Sequence, residues 1–302
     1  MAITASMVKD LRDKTGAGFM ECKAALTESG GDLDKAIEHL RKQGLKVAEK
    51  KVGRAAADGL VSVWTAPEGT VGAMVELNCE TDFVARTEKF LALSKSLIGL
   101  VAADVAATDA AAVLEKRLDG STVAETIKAT IGALGENLVL RRVARLAVPA
   151  EAKGRVVSYL HAGGKIGVLV EMRCVSEKGA ASEPLARTAK ELCLQVCSAE
   201  PGFLTRDQVP ADTLEREREI LRAQPDVQGK PAAIQDKIIQ GRLEKFYAER
   251  VLLDQPFIRD PEGKQKVKDL LKSVEKEIGE PVSVAAYVRF RLGEGVEKKA
   301  AG

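Results

Sequence analysis

Residues 72–79, GAMVELNC, recur 95 positions later as GVLVEMRC at 167–174. Both runs are apolar and bounded by turn residues, the composition of a buried strand. Outward from them, LVSVW (60–64) precedes the first run and VVSYL (156–160) the second, with short turns TAPEGTV and HAGGKI between. Further along, GENLVLRRVARL (135–146) is matched by GEPVSVAAYVRF (279–290). Three matches in one order make an internal duplication. Each copy reads as a β-hairpin, then helical sequence, then a third strand. The predicted fold class is α+β: a duplicated core of small antiparallel sheets, each covered by helices on one face.

The second copy spends 49 more residues than the first between its second and third strands. Residues 211–257, ADTLEREREILRAQPDVQGKPAAIQDKIIQGRLEKFYAERVLLDQPF, are the candidate insert. They read as two amphipathic helices broken at PDVQGKP (225–231), a helical hairpin or coiled coil. In the simplest pairing Leu214, Ile220 and Leu221 face Ile234, Ile238, Phe246 and Val251.

Ahead of the core, residues 1–45 read as three short helices. Thr4 and Asp32 suit the caps of the first and third. TGAG (15–18) and GGD (30–32) break the chain, and Gly44 is expected to end the third helix. Met7, Val8, Leu11, Phe19, Cys22, Leu26, Leu33, Ile37 and Leu40 give these helices one apolar side each. A basic connector, LKVAEKKVGRAAADG (45–59), leads into the core. The organisation expected is 1–54 as a helical module with its linker, 55–148 as the first core half, and 149–210 with 258–292 as the second. The insert occupies 211–257 and a short tail 293–302.

Composition excludes several functions. The chain has 302 residues, 45% hydrophobic and 30% charged, with a net charge of +2. That balance argues against direct nucleic-acid binding, and 4% aromatic residues leave little for base stacking. Cys22, Cys79, Cys174, Cys193 and Cys197 are scattered and odd in number, which suits reduced thiols in a cytoplasmic protein. MAITASMVKD is not built like a signal peptide, and LIGLVAADVAA is too short to span a bilayer, so no membrane role is expected. Two histidines, no triad and no phosphate loop speak against an enzyme, a metal site or a cofactor. Cys193 and Cys197 lie four apart on an apolar helix and read as core residues rather than ligands.

One stretch does not fit a purely structural account. After its second strand the first copy continues ETDFVART (80–87), and the second copy VSEKGAAS (175–182). Turn chemistry calls for Gly, Asn, Asp or Pro, not for a large apolar side chain. By residue type alone Phe83 reads as a plug for the sheet edge. The second copy does without one, so the first loop is expected to have a task beyond folding. Phe19 and Met20 are adjacent, so one of the two should point away from its helix. His161 opens the second hairpin turn, where a solvated histidine is the ordinary reading.

TDFVAR (81–86), LRDKTGAGFMECKAAL (11–26), KVGRAAADG (51–59) and GENLVLRRV (135–143) together resemble the elongation factor Ts family. The resemblance runs from Ile3 to about Val296. It implies an N-terminal three-helix unit like ubiquitin-associated (UBA) domains, a two-part core and an inserted helical hairpin. It implies a guanine nucleotide exchange factor that strips GDP from the translation GTPase, elongation factor Tu. Thr81, Asp82, Phe83 and Val84 match the loop that wedges into the GTPase domain near its magnesium site. Arg12, Phe19, Met20, Lys23, Lys51 and Gly135 match positions that meet the GTPase domain, and His161 a histidine beside its third domain. Many members continue in a C-terminal helix that also docks. Here the chain ends at GEGVEKKAAG, and that contact is expected to be shortened or absent. The sequence leaves open a homodimer or a 2:2 complex, and whether the hairpin is a solvated arm, a dimer contact or a partner contact.

Overall fold

The computed structural model describes residues 2–296. Three helices open the chain, α1 (Ala5–Thr15), α2 (Phe19–Glu28) and α3 (Leu33–Lys51). Thr4 accepts from the Met7 amide and Asp32 from the Lys35 amide, so both expected caps form. The unit has its own core of Val8, Leu11, Cys22, Ala25, Leu26 and Ala36.

Gly44 does not end the third helix, which runs on to Lys51 and takes in the front of the basic connector. The glycine serves packing instead. Gly44 faces Gly132 on a later helix, where a Cβ on Gly132 would sit 2.5 Å from the Gly44 Cα. Close helix crossing outweighs the roughly 1 kcal/mol that a glycine costs inside a helix.

The first half follows: β1 (Asp58–Thr65), β2 (Val71–Cys79), α4 (Asp82–Ala85), α5 (Glu88–Ala103), α6 (Ala110–Leu114), β3 (Arg117–Leu118), β4 (Ser121–Thr122), α7 (Val123–Leu134) and β5 (Val139–Ala147). The second half holds β6 (Lys153–His161), β7 (Ile166–Cys174), α8 (Glu177–Ala180), α9 (Glu183–Ala199), α10 (Ala211–Arg222), α11 (Ala232–Arg250), α12 (Val267–Ile278) and β8 (Ser283–Arg291). The sheets run β1-β2-β5 and β6-β7-β8, all antiparallel, with β3-β4 as a minor two-stranded ribbon. The duplication extends to irregularities. Each central strand has a register shift straight after its buried glutamate, Glu76 in β2 and Glu171 in β7.

Each sheet is covered by helices on one face. Phe90, Leu97 and Val101 of α5 and Ile127 and Ile131 of α7 cover the first; Leu185, Leu192 and Val196 of α9 and Leu271 and Val274 of α12 cover the second. The opposite faces meet each other through Val61, Met74, Leu169 and Phe290. This seam is a pseudo-two-fold: the Val61 amide donates to the Gly164 carbonyl at 2.8 Å, and the Val156 amide to the Gly69 carbonyl at 2.7 Å. Gly72 and Gly167 occupy matching seam positions, where a Cβ would strike Val156 and Met74 or Val61.

The helical hairpin forms, and of the expected inner residues Leu221 and Ile238 do face its core. Leu221, Val227, Ile239 and Leu243 make its core, while Ile220 and Ile234 are exposed. The insert ends with α11: Leu252 lies in the second half's core and Val251 bridges to Phe203. At its root the buried Gln195 donates to Gln255 Oε1 at 3.0 Å and accepts from the Ile258 amide at 2.8 Å. Of the tail, Gly293–Val296 form turns against the first half, and 297–302 lie outside the described residues. No described helix is long and apolar enough to cross a membrane.

Candidate partner-binding site

The chain leaves β2 at Cys79 and turns at once into α4, a single helical turn. Thr81 caps it, accepting from the Val84 amide at 3.5 Å. The Glu136 carboxylate then holds the turn from outside. It accepts from the Glu80 amide at 3.1 Å, the Thr81 amide at 3.0 Å and the Thr81 hydroxyl at 2.6 Å. Cys79 Sγ donates to the Thr81 carbonyl at 3.0 Å. Burial, aided by the nearby Glu136 and Asp58 carboxylates, pushes that thiol up to about 12, so it stays a protonated donor and not a nucleophile.

Within this frame the four expected loop residues part company. Val84 is half-buried and packs on the first core, with Ala85 buried beside it. Asp82 lies on the surface and pairs with Arg86 at 2.8 Å. Phe83 is 78% exposed and is no sheet-edge plug. A side chain of that size stands in water on a turn fixed at both ends.

The second copy repeats the frame. Ser176 accepts from the Gly179 amide at 2.9 Å, and Glu280 accepts from the Val175 and Ser176 amides at 3.2 and 3.1 Å. Ser182 donates to the Gly179 carbonyl at 2.7 Å, as Thr87 does to the Val84 carbonyl at 2.8 Å. Lys178 stands where Phe83 stands. The turn therefore folds without an aromatic residue.

A second apolar exposure lies on the three-helix unit. Phe19 and Met20 are both exposed, 48% and 71%, rather than one of the pair. They are the first two residues of α2, whose inward side is Cys22, Ala25 and Leu26. Lys23, one turn on, and Arg12 on α1 are exposed too. Lys89 Nζ donates to the Thr15 carbonyl at 3.0 Å and so ties the end of α1 to the start of α5. Burial lowers the Lys89 ammonium below the usual lysine range.

Lys51 ends α3 half-buried, and the next residues, Val52–Ala55, line an open groove with Glu80 and Thr81. Gly135 caps α7 in the left-handed region, φ 74°, and delivers the chain to Glu136. Lys51, Gly135 and the Phe83 turn thus share one region, with the three-helix unit beside it. His161 stands apart. It is exposed at the β6–β7 turn, 2.8 Å from the Tyr159 hydroxyl.

Sequence reasoning missed Arg54, Glu80, Glu136 and Asn137, which hold this region together. The signal available was the Gly-Glu pair at the head of both third-strand segments, 135–136 and 279–280. Among the described residues no cluster of His, Cys, Asp and Glu could hold a metal ion.

The sequence model of the family described as Elongation factor TS matches residues 80–294. The chain belongs to the elongation factor Ts family. An elongation factor Ts from Clostridium perfringens (strain SM101 / Type A) is 44% identical over 298 residues, covering 98% of this chain and 95% of that protein. One from Clostridium kluyveri (strain NBRC 12016) is 44% identical over 299 residues, with the same 98% and 95% coverage. The matched elongation factor Ts span begins at Glu80, where the chain leaves β2. The three-helix unit lies ahead of that span, and the whole-chain relatives extend the likeness across it.

Proposed function

We propose that this chain is the guanine nucleotide exchange factor of translation elongation, acting on elongation factor Tu bound to GDP. The exposed Phe83, on a turn that the second copy builds without it, carries the reading. The factor performs no covalent step. It binds the empty GTPase more tightly than the loaded one, and linkage then loosens GDP by the same factor. A hundredfold loosening requires about 2.8 kcal/mol of differential binding, and burying one Phe side chain supplies about 1.5–3 kcal/mol.

The roles follow from where the residues stand. Phe83 enters a cleft that opens only when the GTPase helices shift near the magnesium site. Asp82 trades its surface pair with Arg86, worth at most about 1 kcal/mol, for donors that the shift frees. Thr81 and Val84 hold the turn. Phe19 and Met20 give a second apolar contact, with Arg12, Lys23 and Lys51 steering the encounter, and His161 meets the GTPase separately through the second half. The three-helix unit is the family's UBA-like module and α10–α11 its coiled-coil insert. The factor works where translation does, in the cytoplasm. The test is stopped-flow release of fluorescent GDP from elongation factor Tu. Catalytic amounts of the chain accelerate release, and Phe83→Ala slows it without changing the thermal unfolding of the factor. A fully active Phe83→Ala, Asp82→Ala double variant removes the wedge from the proposal.

A further inference from the structure

We propose that Glu80 is a positioning residue that holds the three-helix unit and the Phe83 tip in register as one preformed surface. The inference rests on the exchange reading above and adds a cause for its geometry. Glu80 Oε1 accepts from the Asn137 amide at 2.7 Å, and Oε2 pairs with Arg54 Nη1 at 3.5 Å. Asn137 is buried and closes the ring by donating Nδ2 to the Arg54 carbonyl at 2.8 Å. Three segments meet here: the wedge turn, the α7–β5 turn, and the connector that leaves α3.

The second copy separates this ring from the needs of folding. It keeps the cap, the Glu280 clasp and the cysteine thiol that bonds the turn. It has Val175 in place of Glu80 and Pro281 in place of Asn137. A valine offers no carboxylate and a proline no N–H, so the ring is absent where there is no aromatic tip and no helical unit joined ahead of the first strand. The directional links are the Asn137 amide to Glu80 and Asn137 Nδ2 to the Arg54 carbonyl, and the looser Arg54–Glu80 ion pair adds charge attraction between the same segments. By fixing the two exposed apolar patches relative to each other, the ring spares the second contact the entropy of finding its place.

The test uses the full chain with Glu80→Val, which installs the second copy's residue, and Glu80→Gln, which keeps an acceptor for Asn137 and loses the charge. With Glu80→Val the factor concentration for half-maximal GDP release rises about tenfold, while the release rate at saturation stays within about twofold, because Phe83 is intact. With Glu80→Gln the rise is about threefold. In the free factor, hydrogen exchange speeds up at the Arg54 and Ala55 amides together with those of Thr81–Val84. An unchanged half-saturation point in folded variants overturns the inference, as does faster exchange confined to 80–84, which is what a purely local role gives. If Glu80→Val does not fold, Glu80→Gln decides by the same criteria. If the wild-type chain fails to release GDP, the exchange reading falls, and the coupled amide exchange still decides the positioning role.

Discussion

Thr81 and Ser176 stand at equivalent places after the central strand of each sheet, and each caps one turn of helix under a glutamate clasp. Beyond that shared frame the halves diverge. The first carries Phe83 on the turn, Glu80 and Asn137 beneath it, and Gly132 on the covering helix to receive α3. The second has Lys178, Val175, Pro281 and an exposed Lys276 at those places. Four differences gathered in the first half make it the candidate for a binding face on a duplicated scaffold. A feature common to both copies serves the fold. A feature of the first copy alone is a candidate for function.

That rule can be broken most forcefully at the paired buried glutamates. Glu76 accepts from Arg141 at 2.9 Å, Arg142 at 2.6 Å and the Gly293 amide at 2.9 Å. Among the described residues Glu171 pairs with Arg173 alone, and burial raises its carboxyl above the usual range despite that arginine. Glu76→Gln is expected to cost about 2–3 kcal/mol in urea unfolding, because it removes the buried charge that Arg141 and Arg142 share, although both keep partners around Glu294. Glu171→Gln at pH 7 should lie within about 1 kcal/mol of wild type. A raised folded-state pKa means the fold binds more protons than the unfolded chain. The Glu171 contribution is therefore fully present below the ordinary glutamate range and is lost as pH rises through its raised value. Glu171→Gln flattens that part of the stability profile.

Next in size is the contrast at the turns themselves. Phe83→Ala is expected to slow GDP release about tenfold to a hundredfold, the range set by burying one Phe. Lys178→Ala should leave release unchanged. Equal losses would dissolve the distinction between the halves.

The helix crossing sharpens it further. Gly132→Ala puts a Cβ 2.5 Å from the Gly44 Cα and should cost about 1–3 kcal/mol. Gly44→Ala meets the Gly132 Cα at 3.5 Å, an ordinary contact, and should gain up to about 1 kcal/mol of helix propensity. Denaturant midpoints of the two variants read the difference in sign.

The smallest effect tests the shared frame. Thr81→Val and Ser176→Ala each remove a cap and should each cost about 1 kcal/mol. Only Thr81→Val should also slow exchange. A cap loss in the second half that slowed exchange equally would mean that the turns act together.

The strands and the duplication were legible because alternation and turn chemistry act over a few residues. The caps at Thr4 and Asp32 were legible for the same reason. Gly44 was misread because its local signal, a helix stop, is overruled by a partner 88 residues away. Ile220 and Ile234 were misplaced on the hairpin's inner face, and Leu221 and Ile238 were not, because a two-helix pairing has several registers that periodicity alone does not rank. At the candidate face, the exposure of Phe83 was foreshadowed by its absence from the second copy. Glu80 and Glu136 were not, since a carboxylate in a loop looks like any solvated charge until the turn it clasps has folded against it.

By itself the sequence determined the α+β class, the repeat, the helical insert, and the family to which the loop and its neighbours point. Only the tertiary structure decided that the sheets meet face to face, that α3 crosses α7 glycine to glycine, and that the aromatic tip stands in water above a ring of two hydrogen bonds and an ion pair. The first set follows from short-range stereochemistry written into consecutive residues. The second depends on groups 50 or more positions apart in the chain, such as Glu80 and Asn137, whose meeting no local pattern encodes.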